Sequence, residues 1–193
     1  MAPKTKELGK TSGALAATAE VAMPASGVPG PTLDRYDVAI LRELQADARL
    51  TNTELAARIG LSAAPTWRRV KWLEEQGYIT GYRAELDLRR VGLGVLAFVR
   101  IDAERNNAEA TQALEDAIRA LPEVVACHYI SGAGTFELQV VATDLDAYSR
   151  FARDRLFKLP NVKDLHTSFS LGEVKAGAAL PLGHLGPAPG PGR

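Results

Sequence analysis

Apolar side chains recur at helical spacing through the first third of the chain, with polar residues between them. The first stripe consists of Leu33, Tyr36 or Asp37, Ile40, Leu41 and Leu44. A second helix is predicted to begin at Thr51, because Glu54 follows three residues later and the two side chains can form a capping box. Gly60 can adopt the left-handed conformation that ends a helix. The pattern therefore predicts two helices before residue 61.

A third helix is predicted from about Ser62 to Gln76. Ser62 suits the N-cap position, and Pro65 falls in the first turn, where a missing N–H leaves no intrahelical bond unmade. Gly77 marks the end of the helix. Together with the preceding helix and its glycine turn, this segment forms a helix-turn-helix, the arrangement that places one helix in the major groove of DNA.

The outer face of the third helix is basic and aromatic. Three cations, Arg68, Arg69 and Lys71, lie within four positions, and no acidic residue occurs from Ser62 to Leu73. Residues 32–90 hold ten Lys or Arg and nine Asp or Glu, so the positive charge is concentrated on this helix. The residues predicted to contact double-stranded DNA are Ser62, Ala63, Ala64, Trp67, Arg68, Arg69 and Lys71.

Two roles are expected within that group. Four residues in the N-terminal half of the helix, Ala63, Ala64, Trp67 and Arg68, should approach base edges. Arg69 and Lys71 should bind phosphates or position the helix. In the alternative interpretation, the basic residues only solvate a surface and pair with Glu74 and Glu75. Trp72 is expected to pack against a neighbouring segment.

The remainder of the chain alternates between strand and helix patterns. The segment from Tyr78 to Leu86 is a candidate wing and linker strand, and a second unit begins at about Val91. Strands are predicted at 95–101, 124–130, 135–142 and 162–171, and helices at 108–121 and 145–159. This βαββαβ order is that of a ferredoxin-like sandwich, so the chain is predicted to belong to the α+β class.

The predicted sandwich should be marginal alone, because a unit of about eighty residues buries only some 60% of its unfolded surface. Its first strand is apolar on both faces, with Val95, Ala97, Val99 and Ile101 on one side and Leu96 and Phe98 on the other. We therefore expect a homodimer formed by contact between two sheets, which would also present two DNA-reading helices to a symmetric operator.

Composition limits the remaining possibilities. The chain has a formal net charge of zero, no run of eighteen apolar residues and no secretory signal pattern, so a cytoplasmic, nucleoid-associated protein that does not enter a membrane is expected. No cofactor or metal site is predicted. Cys127 is expected to pack as a small apolar residue. The predicted divisions are a disordered extension at 1–31, a DNA-binding unit at 32–90, a ligand-binding and dimerisation unit at 91–182 and a disordered tail at 183–193.

Several segments together resemble one family of bacterial and archaeal regulators. The chain is similar to the Lrp/AsnC (leucine-responsive/asparagine-type, feast-famine) family over about Leu33 to Leu182. The segments that carry the resemblance are LDRYDVAILRELQADARLTNTELAARIGLS, RRVKWLEEQGYITGYRAELD, EVVACHYISG and LPNVKDLHTSFSLGEVK. The resemblance implies a winged helix-turn-helix that binds operators as a dimer or an octamer. It also implies a sandwich domain that binds a small effector, typically an amino acid, at interfaces between dimers.

The turn between the second and third strands departs from the family pattern. The family carries glycine, then an aspartate followed by an aromatic residue, whereas Thr135 precedes Phe136 here. A hydroxyl holds an ammonium group less firmly than a carboxylate does, and Glu137 either supplies the missing charge or lies in a subunit interface. The candidate effector residues implied by the resemblance are Gly132, Gly134, Thr135, Glu137 and Ser168. The two glycines alternatively form only a tight hairpin turn.

Two other functions are compatible with parts of the sequence. The siroheme decarboxylases resemble these regulators, and His128-Tyr129 lies in a comparable strand, but the basic helix argues for DNA binding and against an enzyme. An architectural protein that wraps DNA without any effector is the second alternative. No metal-ligand spacing, phosphate-binding glycine loop or nucleophile elbow occurs in the sequence.

Overall fold

The computed structural model describes residues 33–105, 107–131, 135–175 and 177–185. The expected extension at 1–31 and residues 186–193 of the expected tail lie outside the described residues. The first three helices are α1 (Arg35–Ala46), α2 (Asn52–Ile59) and α3 (Ala63–Glu75), which confirms the predicted trihelical unit. Ile40, Leu55 and Leu73 meet in its core and are almost completely buried.

Local signals account for where these helices begin and end. Thr51 and Glu54 form the predicted capping box, and Gly60 adopts a left-handed conformation with φ of 71°. Ser62 occupies the N-cap position of α3, as predicted, although its side chain makes no capping bond. The buried Thr66 hydroxyl instead donates to the Ser62 carbonyl oxygen at 2.9 Å. The first turn of α3 is therefore held by a residue inside the helix.

Residues 76–94, all of them described, contain no strand, so the linker strand expected at 78–86 is not formed within this protomer. The segment nevertheless returns to α3. Trp72 and Tyr78 stack with ring centroids 5.6 Å apart, as expected for a packing role of Trp72, and the Tyr82 hydroxyl donates to Glu74 at 3.1 Å. The Tyr78 and Ile79 N–H groups also donate to the Leu73 carbonyl oxygen, at 2.9 and 3.1 Å, so main-chain bonds and side-chain packing together hold this segment on α3.

The second unit is the predicted βαββαβ sandwich. Its elements are β1 (Val95–Ala103), α4 (Ala108–Arg119), β2 (Val124–Ile130), β3 (Thr135–Ala142), α5 (Leu145–Asp154), a 3-10 turn (Leu156–Lys158) and β4 (Val162–Phe169). The strands lie in the order β2-β3-β1-β4, and all neighbouring pairs are antiparallel. The helix predicted at 145–159 ends earlier, because the chain tightens into the 3-10 turn.

One face of the sheet packs against α4 and α5. Ala97, Val99 and Ile101 on β1 are fully buried there, in a core that also includes Leu114 and Phe151 from the two helices. Residues that are paired in register lie on the same face of the sheet. How far the helices cover a side chain on that face depends on whether its strand is central or at an edge. Cys127 shares this face but is exposed, contrary to the prediction, because β2 is an edge strand.

The opposite face, here called the open face, is apolar only in part. Leu96 and Phe98 lie toward one end of β1, as predicted, and Phe98 is 36% exposed. A polar row crosses the sheet nearer the other end and consists of His128, Glu137, Arg100 and His166, one from each strand. The expectation of a largely apolar face therefore holds for one end of the sheet.

The end of the described chain returns to the DNA-binding unit. The backbone N–H of Leu180 donates to the side-chain oxygen of Gln45 on α1 at 2.6 Å, and the Gln45 amide donates back to the Leu180 carbonyl at 3.5 Å. Gly183–Leu185 form a short 3-10 turn, although this part of the tail was expected to be disordered. Among the described residues, no helix is long and apolar enough to cross a bilayer.

Candidate nucleic-acid interface and effector site

The N-terminal half of α3 presents a small exposed surface. Ala63, Ala64 and Arg68 are exposed, and Trp67 is 53% exposed although it is one of the largest apolar side chains in the chain. With Asn52 of α2, these residues line a shallow concave surface. Small side chains at the start of the helix allow its backbone to approach a partner, while Trp67 and Arg68 project beyond it.

Asn52 was not identified from the sequence. Its side-chain amide donates to the carbonyl oxygen of Ala63 at 2.8 Å, which joins the first turn of α2 to the first turn of α3. The bond fixes the angle between the two helices at the exposed surface. The only signal in the sequence was its place after the N-cap residue Thr51, and that signal does not reveal a contact eleven residues away.

The Arg69 side chain is 32% exposed and is held by two carboxylates of its own chain. Its guanidinium contacts Asp37 at 2.7 Å and Asp34 at 2.8 Å, at the start of α1. Partial burial lowers the pKa of Arg69, but the hydrogen bond and charge of Asp37, followed by those of Asp34, outweigh it and raise the pKa. Of the two roles expected for Arg69, the geometry matches positioning of the helix.

Lys71 has an ion-pair partner within α3, whereas Arg68 has none among the described residues. Lys71 pairs with Glu74 at 2.7 Å, and this hydrogen bond and charge raise the pKa of Lys71. The alternative interpretation, pairing within the helix, thus applies to Lys71. Arg68 forms no ion pair with any residue in the described part of the chain. Its guanidinium is the cation of α3 that is left available to a partner.

The candidate effector residue Thr135 is almost completely buried, with 8% exposure. Its hydroxyl donates to Oδ1 of Asp102, the residue directly opposite on β1, at 2.9 Å. That hydroxyl bond, together with Arg100, outweighs partial desolvation and lowers the pKa of the Asp102 carboxyl. Sequence reasoning missed Asp102, because only the strand register brings it to Thr135. Gly132 and Gly134 lie outside the described residues.

The other effector candidates lie farther along the sheet. Glu137 is two residues from Thr135 on the same face, opposite Arg100 on β1 and His128 on β2. Ser168 is opposite Phe98, four residues along β1 from Asp102, which corresponds to about 13 Å. The structure therefore groups Thr135 with Glu137 and separates Ser168 from them within one protomer.

The histidines considered for the decarboxylase alternative do not converge. His128 on β2 and His166 on β4 share a row but are separated by β3 and β1, or about 14 Å. His166 instead contacts Asp164 at 3.1 Å. In the described ranges, no three His, Cys, Asp or Glu side chains are grouped so that they could hold a metal ion.

Two family models match different parts of the chain. Residues 33–80 match a winged helix-turn-helix DNA-binding family, and residues 96–180 match the Lrp/AsnC ligand-binding domain. The leucine-responsive regulatory proteins of Escherichia coli K12 and Klebsiella pneumoniae are each 39% identical over 147 residues, which is 76% of this chain and 90% of the relative.

Solved structures show the same fold. A transcriptional regulator from Neisseria meningitidis, determined as a complex with L-Met, superposes with a TM-score of 0.75 at 40% identity, covering 80% of this chain and 99% of that one. An AsnC family regulator from Agrobacterium tumefaciens superposes with a TM-score of 0.73 at 34% identity, covering 79% and 99%. The chain therefore belongs to the Lrp/AsnC family of DNA-binding transcriptional regulators, which join a winged helix-turn-helix to an effector-binding domain.

Proposed function

We propose that this regulator reads operator DNA with the N-terminal half of α3. Ala63 and Ala64 admit the helix to the major groove, and Trp67 and Arg68 contact base edges. The observation that carries the proposal is the contrast among neighbouring cations: Arg69 and Lys71 have intramolecular partners, whereas Arg68 has none among the described residues. Arginine that is free to form two bonds to guanine is the commonest specific contact in the major groove.

Two copies of α3 are supplied by a homodimer formed through the apolar ends of the open faces of two sheets. Leu96 and Phe98 lie at that end and Phe98 is partly exposed, so a two-fold axis can pack them together while the end with Asp102 and Thr135 stays accessible. The two helices should then occupy half-sites about 34 Å apart, or multiples of that distance when dimers assemble further. Operators should accordingly be symmetric.

The effector is proposed to be an amino acid bound near Thr135 and Glu137 on the open face, with a consequent change in assembly or in DNA affinity. The Neisseria meningitidis relative was solved with L-Met, and the relatives that share 39% identity are leucine-responsive. L-methionine and L-leucine are therefore the first ligands to test.

We also propose that the chain acts on DNA and not as an enzyme, in the cytoplasm at the nucleoid.

The test is electrophoretic mobility of the DNA upstream of its own gene, with and without each amino acid. We expect retardation of that fragment at lower protein concentration than of a random fragment of equal length, and a shift in this concentration when the effector is added. Equal affinity for both fragments would contradict operator reading. Specific retardation that no common amino acid alters would instead favour an architectural protein.

A further inference from the structure

Asp102 and Thr135 form a cross-strand pair on the open face. They are directly opposite in the β1–β3 register, and the Thr135 hydroxyl donates to Asp102 Oδ1. The Thr135 side chain is almost completely buried, whereas the Asp102 side chain keeps 26% exposure. A ligand that approaches from the open face therefore meets the carboxylate more readily than the hydroxyl.

The hydroxyl cannot replace a carboxylate in this position. Thr135 has a single proton to donate, which already points to Asp102, and its oxygen carries no formal charge. An ammonium group is bound most strongly by an ionised acceptor. The charge at this site must therefore come from a neighbour of Thr135.

One oxygen of Asp102 is still available. Both of its bonds, from Thr135 and from the Arg100 Nε at 3.2 Å, are made to Oδ1. No residue in the described part of the chain donates to Oδ2, although a carboxylate oxygen has two acceptor positions. The Arg100 side chain is 55% exposed, and an ion pair so exposed to water contributes little free energy. It would not prevent a second cation from binding.

Other carboxylates on the open face are less suited to this role. Asp164, opposite Asp102 on β4, contacts His166 at 3.1 Å. Glu137 is two residues along β3 from Thr135, and among the described residues no hydrogen bond joins the two side chains. Of these three carboxylates, and among the described residues, only Asp102 combines direct contact with Thr135 and an oxygen without a donor.

We infer that Asp102 provides the carboxylate that binds the ammonium group of an α-amino acid effector, in place of an acidic residue at position 135. The inference rests on the proposed function, because it assigns a further binding residue to the effector site proposed above. It predicts that the chain distinguishes an amino acid from the same molecule without its amino group.

Isothermal titration calorimetry on the full chain tests this assignment. The probes are L-methionine, L-leucine and the analogue of each in which hydrogen replaces the amino group. We expect the Asp102→Asn variant to bind the amino acid at least about tenfold more weakly, the scale of one charge-assisted hydrogen bond, and the analogue as the wild type does. Asp164→Asn is the matched control and should retain wild-type affinity.

A transposed variant, Asp102→Thr with Thr135→Asp, returns one carboxylate and one hydroxyl to the same cross-strand pair. It should recover most of the affinity that Asp102→Asn loses, which a merely structural role of Asp102 does not explain. The assignment would be overturned if Asp102→Asn bound the amino acid with unchanged affinity, or if Glu137→Gln lost affinity and Asp102→Asn did not. Either result would leave the effector function intact. If the wild-type chain binds neither L-methionine nor L-leucine, the effector function proposed above is itself refuted.

Discussion

The bond between α3 and α1 through Arg69 should be a major stabilising contact of the DNA-binding unit. The guanidinium contacts Asp37, whose side chain is only 8% exposed, and Asp34, whose side chain is 46% exposed. A hydrogen bond between charged groups contributes about 1.5–3 kcal/mol, whereas the more exposed pair adds less than about 1 kcal/mol. Replacing Arg69 by Met should therefore cost about 2 kcal/mol, largely because the Asp37 carboxylate loses its cation.

Tryptophan fluorescence isolates this effect. Both tryptophans of the chain, Trp67 and Trp72, lie on α3, so urea unfolding followed by their emission reports the DNA-binding unit alone. With a urea slope of about 1 kcal/mol/M for so small a unit, the midpoint of Arg69→Met should fall by about 2 M.

The matched control is Lys71→Met, two residues away on the same helix, which removes the exposed pair with Glu74. Its midpoint should change far less. In an Asp37→Asn background, Arg69→Met should also lose most of its effect, because the two residues interact directly. Midpoints that fall equally for Arg69→Met and Lys71→Met would refute the stabilising role of the Arg69 contact.

Three further outcomes are expected. Arg68→Ala should cost about 1–3 kcal/mol at a cognate operator and relax its sequence preference. Lys71→Ala should change the affinity for cognate and random DNA far less, because the Lys71 ammonium already pairs with Glu74, as gel mobility at several salt concentrations would show. Identical behaviour of the two variants on cognate and random DNA would contradict this division. Gly60→Ala should destabilise the helix-turn-helix by about 1 kcal/mol in urea unfolding, because the φ of 71° at Gly60 is strained for alanine. An unchanged urea midpoint would contradict that strain. Burial raises the pKa of Asp34, but the N–H groups of Asp37 and Tyr36 and the charge of Arg69 outweigh burial and lower this pKa overall. The stability that the Asp34 carboxylate contributes is therefore complete at a pH above its ordinary pKa of 3.8 and is lost as the pH falls below that value. Asp34→Asn should flatten the acid side of the pH profile of the urea midpoint, and a profile of unchanged steepness would exclude this contribution.

The elements that were predicted correctly depend on short-range signals. Thr51 and Glu54 are three residues apart, and each satisfies an N–H of the other, so the start of α2 is visible in the sequence. The βαββαβ order likewise follows from local patterns, because short strand-like runs and helical stripes succeed one another along the chain. Ser62 shows the limit of such signals, because a residue type suited to an N-cap does not determine where its hydroxyl points.

The features that were missed depend on contacts between distant segments. Arg69 meets Asp37 across 32 positions, which requires the angle between α1 and α3. Asp102 meets Thr135 across 33 positions, and a register change of one residue would place them on opposite faces. Cys127 was expected to be buried because its neighbours are apolar, but strand order places β2 at an edge.

The bonds between Leu180 and Gln45 connect parts of the chain that are 135 residues apart. Leu180 follows the last strand of the effector-binding unit, while Gln45 belongs to the first helix of the DNA-binding unit. A shift of one unit that separated them would expose a main-chain N–H and a carbonyl, or draw α1 along with the moving segment. The segment that follows β4 therefore ties α1 to the effector-binding unit, so a movement that begins in one unit is passed to the other.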